Sequence, residues 1–262
     1  YDSLQSIHFP LVDNPYKTEQ EYQLFAFFES YFSNYIEGTQ FELSEAKQIV
    51  DTGVSIPMRR EDSHDILGTY RLLSNRGEMQ LVPKNEDELI EILRYRHRIM
   101  LDERPQCTPG MFKDRTNQAG DTVFVTPELV EGTLRYGFRY YSALSSPLAR
   151  AIYMMFLCSE VHPFVDGNGR IARMMMNAEL SAGGVSRIIV PTVYREDYLL
   201  ALRKMSRRGI ADTYISVLEH LQEFSANIPC GDFVSAQSFL QRCNAFSDAE
   251  EAYLNFSFKG RG

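Results

Sequence analysis

The chain contains no tryptophan, and only four cysteines stand among its 262 residues. Cys107, Cys158, Cys230 and Cys243 form no C-x-x-C pair, and His162, near Cys158, has no second cysteine close by. A zinc site or a disulfide scaffold is therefore not expected, and the thiols should be reduced and buried or half-buried. Positive charge is also scarce: 27 Lys and Arg face 35 Asp and Glu, a formal net charge of −8. Nucleic-acid binding draws much of its affinity from basic groups, so DNA and RNA are disfavoured as main partners. An acidic nucleotide remains admissible where a site gathers positive groups. Long apolar runs are missing too. The longest, Leu148 to Val161, is interrupted by Arg150 and Glu160, too short for the ~30 Å of a bilayer core. Tyr1 to Pro15 lacks the basic and apolar regions of a leader, so a cytoplasmic protein is expected, with no membrane partner. No repeat or low-complexity linker divides the chain.

What remains is an ordinary globular composition, 44% hydrophobic and 24% charged, patterned for helices. Thr18 to Ile36 carries Phe25, Phe27, Phe28, Tyr31, Phe32 and Tyr35 at helical spacing and stops at Gly38. Ser44 to Val50 reads as a second helix ended by Gly53. Asn85 to Met100 has the clearest end signals: Asn85 caps, Glu88 completes a capping box, and acids fill the first turn. Its Arg94, Arg96, His97 and Arg98 are expected on a solvated face that complements the helix dipole. Thr122-Val123-Phe124-Val125, after the turn-rich Asn117 to Gly120, predicts one short hairpin. Helical spacing returns over Glu128 to Leu144, Leu148 to Val161 and Arg195 to Phe224. The Met154-Met155 and Met174-Met175-Met176 clusters read as core filler, and Arg203, Lys204, Arg207 and Arg208 as a solvated face. The division expected is an N-terminal helical region, 1–84, a core, 85–225, and an unassigned tail, 226–262. The fold class is mainly α with a short β-hairpin.

The chemistry concentrates in His162-Pro163-Phe164-Val165-Asp166-Gly167-Asn168-Gly169-Arg170-Ile171-Ala172-Arg173. Pro163 moves His162 out of the helical region, so one helix ends near Val161. The next runs from about Gly169 to Ala182. The loop thus feeds glycines into a helix N-terminus, where backbone N–H groups and the dipole favour an anion. Arg170 and Arg173, three apart, share a helix surface and suit a polyphosphate. Asp166 at the mouth would repel phosphate unless Mg²⁺ bridged them. His162 can take a proton from a hydroxyl near neutral pH. Together these groups suit phosphoryl or nucleotidyl transfer. The dinucleotide fingerprint G-x-G-x-x-A also fits Gly167 to Ala172, but it needs a preceding strand and a helix is expected there. An EF-hand fails at Ile171 and Asn177, and no Walker A pattern occurs.

This stretch matches H-x-F-x-[DE]-G-N-G-R-x-x-R at every defined position and resembles the signature of the Fic domain family, over roughly Gly110 to Gly184. The resemblance implies an α-helical enzyme that transfers AMP from ATP, with Mg²⁺, to a Ser, Thr or Tyr hydroxyl of a protein, its own chain included among the candidate targets. It makes His162 the base and Asp166 the metal ligand. Gly167, Asn168 and Gly169 hold phosphates, Arg170 and Arg173 position the β- and γ-phosphates, and Phe164 anchors the loop. Thr122, Val123, Phe124 and Val125 are similar to the flap that registers the target chain. Upstream, Ser33-Asn34-Tyr35-Ile36-Glu37-Gly38 resembles the inhibitory motif [ST]-x-x-x-E-[GN]. Ser33 and Glu37, four apart, would share a helix face, with Glu37 reaching Arg173 and displacing the γ-phosphate. Removal of AMP, another donor such as UTP or GTP, a non-catalytic binding module and a DNA-binding regulator remain alternatives. A homodimer stays open.

Overall fold

The computed structural model describes residues 1–120 and 122–257. Twelve α-helices occur among them: α1 (Asp2–Ser6), α2 (Glu19–Tyr35), α3 (Leu43–Thr52), α4 (Arg60–Leu73), α5 (Arg76–Met79), α6 (Glu86–Met100), α7 (Val130–Ser142), α8 (Pro147–Val161), α9 (Asn168–Ala182), α10 (Arg195–Arg208), α11 (Ala211–Ala226) and α12 (Phe233–Arg242). One antiparallel hairpin joins β1 (Gln118–Ala119) and β2 (Thr122–Val123), with Gln118 opposite Val123. The mainly helical class with a single hairpin is as expected. The strand is shorter than Thr122 to Val125, because Thr126-Pro127 opens a 3₁₀ turn and the chain leaves the ladder. Among the described residues no helix is long and apolar enough to cross a membrane.

Two compact units form, each discontinuous in sequence: 1–9 with 41–183, and 10–40 with 184–262. Packing, which a linear reading cannot see, sets them.

In the first unit α8 and α9 pack most extensively, and α7, α6 and α5 pack around them. Met154, Met155, Met174, Met175 and Met176 are buried there as core filler; fully burying such a side chain contributes about 1.5–3 kcal/mol. α6 begins as its sequence signals indicate, with Asn85 Oδ1 accepting from the Glu88 N–H at 2.9 Å. Glu88 reaches back one residue further than a capping box requires, to the Lys84 N–H at 2.9 Å. α4 was not anticipated. Its inward face carries Ser63, Asp65, Gly68 and Thr69 among the apolar residues, so hydrophobic periodicity is blurred. Gly68 is needed for close approach to α6: a Cβ there would lie 2.6 Å from the Met100 carbonyl.

In the second unit the aromatic face of α2 is buried. Phe28 stacks on Phe233 of α12, and Phe32 stacks on Phe246. Phe233 and Phe246, both after residue 225, thus cover part of this aromatic face. The helical stretch expected from Arg195 to Phe224 is two helices, divided where Gly209 takes a left-handed φ of 65°. Tyr198 is buried, while Arg203, Arg207 and Arg208 face solvent as expected. All four cysteines are free and buried.

Candidate active site

The 162–168 loop links α8 to α9 inside the first unit. Pro163 disfavours helical backbone at the residue before it. His162 accordingly turns left-handed, φ 51° and ψ 59°, while its N–H still closes α8 on the Cys158 carbonyl. Its Nδ1 lies 3.3 Å from the Ser159 carbonyl oxygen. A carbonyl can only accept, so this contact places the proton on Nδ1 and leaves the lone pair on Nε2. Nε2 is the basic atom the site offers.

Phe164 anchors the loop. It is fully buried and lies flat on the His97 ring, centroids 3.8 Å apart. Asn168 staples the loop internally: Oδ1 accepts from the Phe164 N–H at 2.9 Å, and Nδ2 donates to the Phe164 carbonyl at 2.8 Å. Its side chain is therefore structural, and its backbone amide is the part available to an anion.

His97 corrects the sequence expectation. The sequence places it with Arg96 on a solvated face, yet both are fully buried; only Arg94 and Arg98 of that cluster are exposed. Arg96 is buried because Glu78 Oε1 and the Glu78 and Leu81 carbonyls receive its guanidinium at 2.8 Å each. Burial pushes the His97 imidazole down to about 4, so the ring is neutral near pH 7. Nδ1 accepts the Gly110 N–H at 2.9 Å, which leaves the proton on Nε2 to be donated to the Asp166 carbonyl at 3.0 Å. A neutral histidine thus fixes the backbone at the mouth of the cradle. No sequence signal separates it from its charged neighbours.

Gly167 caps α9 with φ 75°. A Cβ there would come within 2.8 Å of Met100 Cε, so both conformation and space require glycine. The amides of Asn168, Gly169 and Arg170 precede the first intrahelical bond, from the Ile171 N–H to the Gly167 carbonyl. Arg170 and Arg173 extend from the same helix and are both buried. Arg170 pairs with Asp65 of α4 at 2.8 Å and lies 3.7 Å from Asp166. Asp65 also receives Arg104 at 2.9 Å. Asp65 therefore sets Arg170 from behind, a role invisible without the packing of α4. Asp65→Ala removes a carboxylate shared by two guanidiniums, and should cost about 3–5 kcal/mol of unfolding free energy. Chemical denaturation checks this, and a loss below ~1 kcal/mol would contradict it.

The Asp166 side chain is 54% exposed at the rim. Among the described residues no group of three or more His, Cys, Asp or Glu could hold a metal by itself. One rim carboxylate beside an anion cradle suits a hard cation that takes its other oxygens from phosphate and water, and Mg²⁺ fits that donor set.

The hairpin lies alongside the loop. Phe124, just past β2, stacks on the His162 imidazole with centroids 3.7 Å apart and planes 7° from parallel. Ser33 and Glu37 belong to the second unit. Ser33 is buried on α2 and Glu37 is exposed. Glu37 lies two residues past the end of α2 at Tyr35. The turn is closed by the Glu37 N–H on the Asn34 carbonyl, 3.1 Å, and by Gly38 at φ 95°.

The sequence profile of the Fic/DOC family matches residues 87–180. A Fido domain-containing protein of Dictyostelium discoideum is 31% identical over 103 residues, covering 37% of this chain and 72% of that protein. The chain belongs to the Fic/DOC family. The match spans the loop, both flanking helices, α6 and the hairpin. A protein adenylyltransferase Fic of Nematostella vectensis is 30% identical over 189 residues, 69% of this chain and 43% of that protein. The chain spans less than half the length of the adenylyltransferase relatives it matches. A Fic domain containing signaling protein from Bacteroides thetaiotaomicron shares the fold at a TM-score of 0.68 and 20% identity, over 90% of this chain and 94% of that one.

Proposed function

We propose that the protein is an adenylyltransferase that moves AMP from ATP to a protein hydroxyl, and that the N-terminal Ser33-x-x-x-Glu37-Gly38 motif restrains it. The observation that carries this reading is one loop holding both a base and an anion cradle: His162, with its lone pair on Nε2, is followed directly by the amides and arginines that open α9. Relatives named protein adenylyltransferase support the same chemistry.

The reaction divides among the chain's own residues. The α9 amides and Arg170 and Arg173 hold the phosphates, with the β- and γ-groups drawn toward the guanidiniums. The target hydroxyl enters beside His162 Nε2, which takes its proton. The hydroxyl oxygen bonds to the α-phosphorus, the bond to the β-phosphate oxygen breaks, and pyrophosphate leaves. Asp166 would hold Mg²⁺, which when bound neutralises phosphate charge. Glu37 restrains the reaction by competing with the γ-phosphate for Arg173. The flap role of Thr122 to Val125, the acceptor hydroxyl class and the self-labelling or dimeric states are parts of this proposal.

Asp166→Asn should weaken Mg²⁺-dependent ATP binding and transfer together, and EDTA should reproduce the loss in the unmodified protein. Transfer that survives both would contradict the metal assignment. The donor is tested by incubating the purified chain with α-labelled ATP, GTP, UTP and CTP. Incorporation from ATP above the others supports the reading. Incorporation only from another nucleotide would replace the donor, and none from any would contradict transferase activity.

A further inference from the structure

His162 stands at a left-handed corner after a helix end, and its Nδ1 contact to Ser159 is long at 3.3 Å. General-base catalysis needs the ring held in one plane against the incoming hydroxyl. The structure supplies that hold from the hairpin. The Phe124 ring covers one face of the imidazole at 3.7 Å, closer than the ~4.5–7 Å usual between aromatic centroids.

The segment that leads into the hairpin is in turn bound, through Lys113, to the two residues that flank the histidine. The Lys113 N–H donates to the Pro163 carbonyl at 2.9 Å, and Lys113 Nζ donates to the Val161 carbonyl at 3.3 Å. Nζ also donates to Asn117 Oδ1 at 2.7 Å. Asn117 Nδ2 donates to the Phe164 carbonyl at 2.9 Å, and the Asn117 carbonyl accepts the Phe124 N–H at 3.2 Å. Bonds thus run from both neighbours of His162, through Lys113 and Asn117, to the residue stacked on its ring.

We propose that Lys113 and Phe124 are positioning residues for the base, Lys113 clasping the hairpin to the catalytic loop and Phe124 setting the plane of the His162 imidazole. This rests on the reading of His162 as the base. Lys113 is 3% exposed, and its ammonium is met by an amide and a carbonyl oxygen. Burial lowers its pKa to about 8. A buried ammonium facing neutral acceptors costs stability that an apolar side chain would not. The placement of its bonds around His162 gives that cost a purpose. The hairpin then does more than present an edge to a target: deforming it would also misalign the base.

The test joins NMR to kinetics on the full chain. The five histidines are few enough for His162→Ala to identify the His162 ring protons by their loss. In the unmodified protein those protons should be displaced by the Phe124 ring current. Phe124→Leu should abolish the displacement, Lys113→Met should reduce it, and Phe124→Tyr and Lys113→Arg should keep most of it. In a Glu37→Gly background with α-labelled ATP, Phe124→Leu and Lys113→Met should lower kcat about 10- to 100-fold with KM for ATP changed less than ~2-fold. Phe124→Tyr should recover most of kcat. His162 resonances unmoved by Phe124→Leu would overturn the proposal, as would a rise in KM with kcat unchanged. If His162→Ala retains full transfer, the base assignment fails while the ring-current arm still reports the stack, so the two failures are distinguishable.

Discussion

His162→Ala is expected to abolish transfer while leaving ATP bound. His162 precedes the proposed phosphate cradle and contributes no backbone amide or guanidinium to it; the groups proposed to hold phosphate all belong to residues 167–173. Removing a general base costs about 10²- to 10⁴-fold in rate. The anion affinity of the α9 N-terminus and of Arg170 and Arg173 is untouched by the substitution. The side chain is half-buried at a loop corner, so truncation leaves no closed cavity and the fold should persist. Nucleotide titration and transfer measured on the same preparation check both halves. Comparable transfer rates for the variant and its parent, both carrying Glu37→Gly, would remove His162 from the mechanism. Loss of ATP binding together with transfer would make it a cradle residue instead.

Glu37→Gly is expected to raise transfer strongly. The expectation comes from the Ser33-x-x-x-Glu37-Gly38 motif and the role proposed for Arg173 on the γ-phosphate. A carboxylate on that guanidinium forms a charge-assisted contact worth about 1.5–3 kcal/mol, and its removal corresponds to about 10- to 150-fold if all of it appears in the rate. Misplacement of the α-phosphate would enlarge the effect. Glu37 is exposed in the turn past α2, so substitution there disturbs no core packing. The end of α2 is held separately, by Arg195 Nε donating to the Ile36 carbonyl at 2.9 Å. Glu37→Gln removes the charge without freeing the backbone and should also activate. The double variant Glu37→Gly, Arg173→Ala should lose the gain if Arg173 binds the γ-phosphate as proposed. Unchanged transfer in both Glu37 variants, under conditions where the parent is measurably slow, would contradict restraint by this residue.

The loop was legible because its chemistry is contiguous. Base, carboxylate, glycines and arginines follow one another within a dozen positions, and Pro163 and the glycines mark the helix ends on either side. α2, α6, α8 and α9 could be read from caps and periodicity. α4 could not, because its inward face buries Ser63, Asp65 and Thr69, and polar residues in a core look like a surface to any hydrophobic pattern. The same ambiguity hid Arg96 and His97: four basic residues within five positions read as solvated, and only the carboxylate and carbonyls that meet them explain their burial. Asp65, His97, Lys113 and Phe124 share a further difficulty. Each acts on the loop across the fold, so no spacing within one segment announces it. The aromatic face of α2 was plain, but what covers it, Phe233 and Phe246, lies in a tail whose own pattern is weak.

The central claim, that this chain transfers AMP to a hydroxyl through His162, is tested most directly by mass spectrometry of proteins, the chain itself included, after incubation of the Glu37→Gly variant with ATP and Mg²⁺ in a cell extract. The account predicts adducts with the mass of one adenylyl group on Ser, Thr or Tyr side chains, absent when His162→Ala is added. Adducts of unchanged abundance in the His162→Ala chain, or no nucleotidyl adduct on any protein, would contradict it.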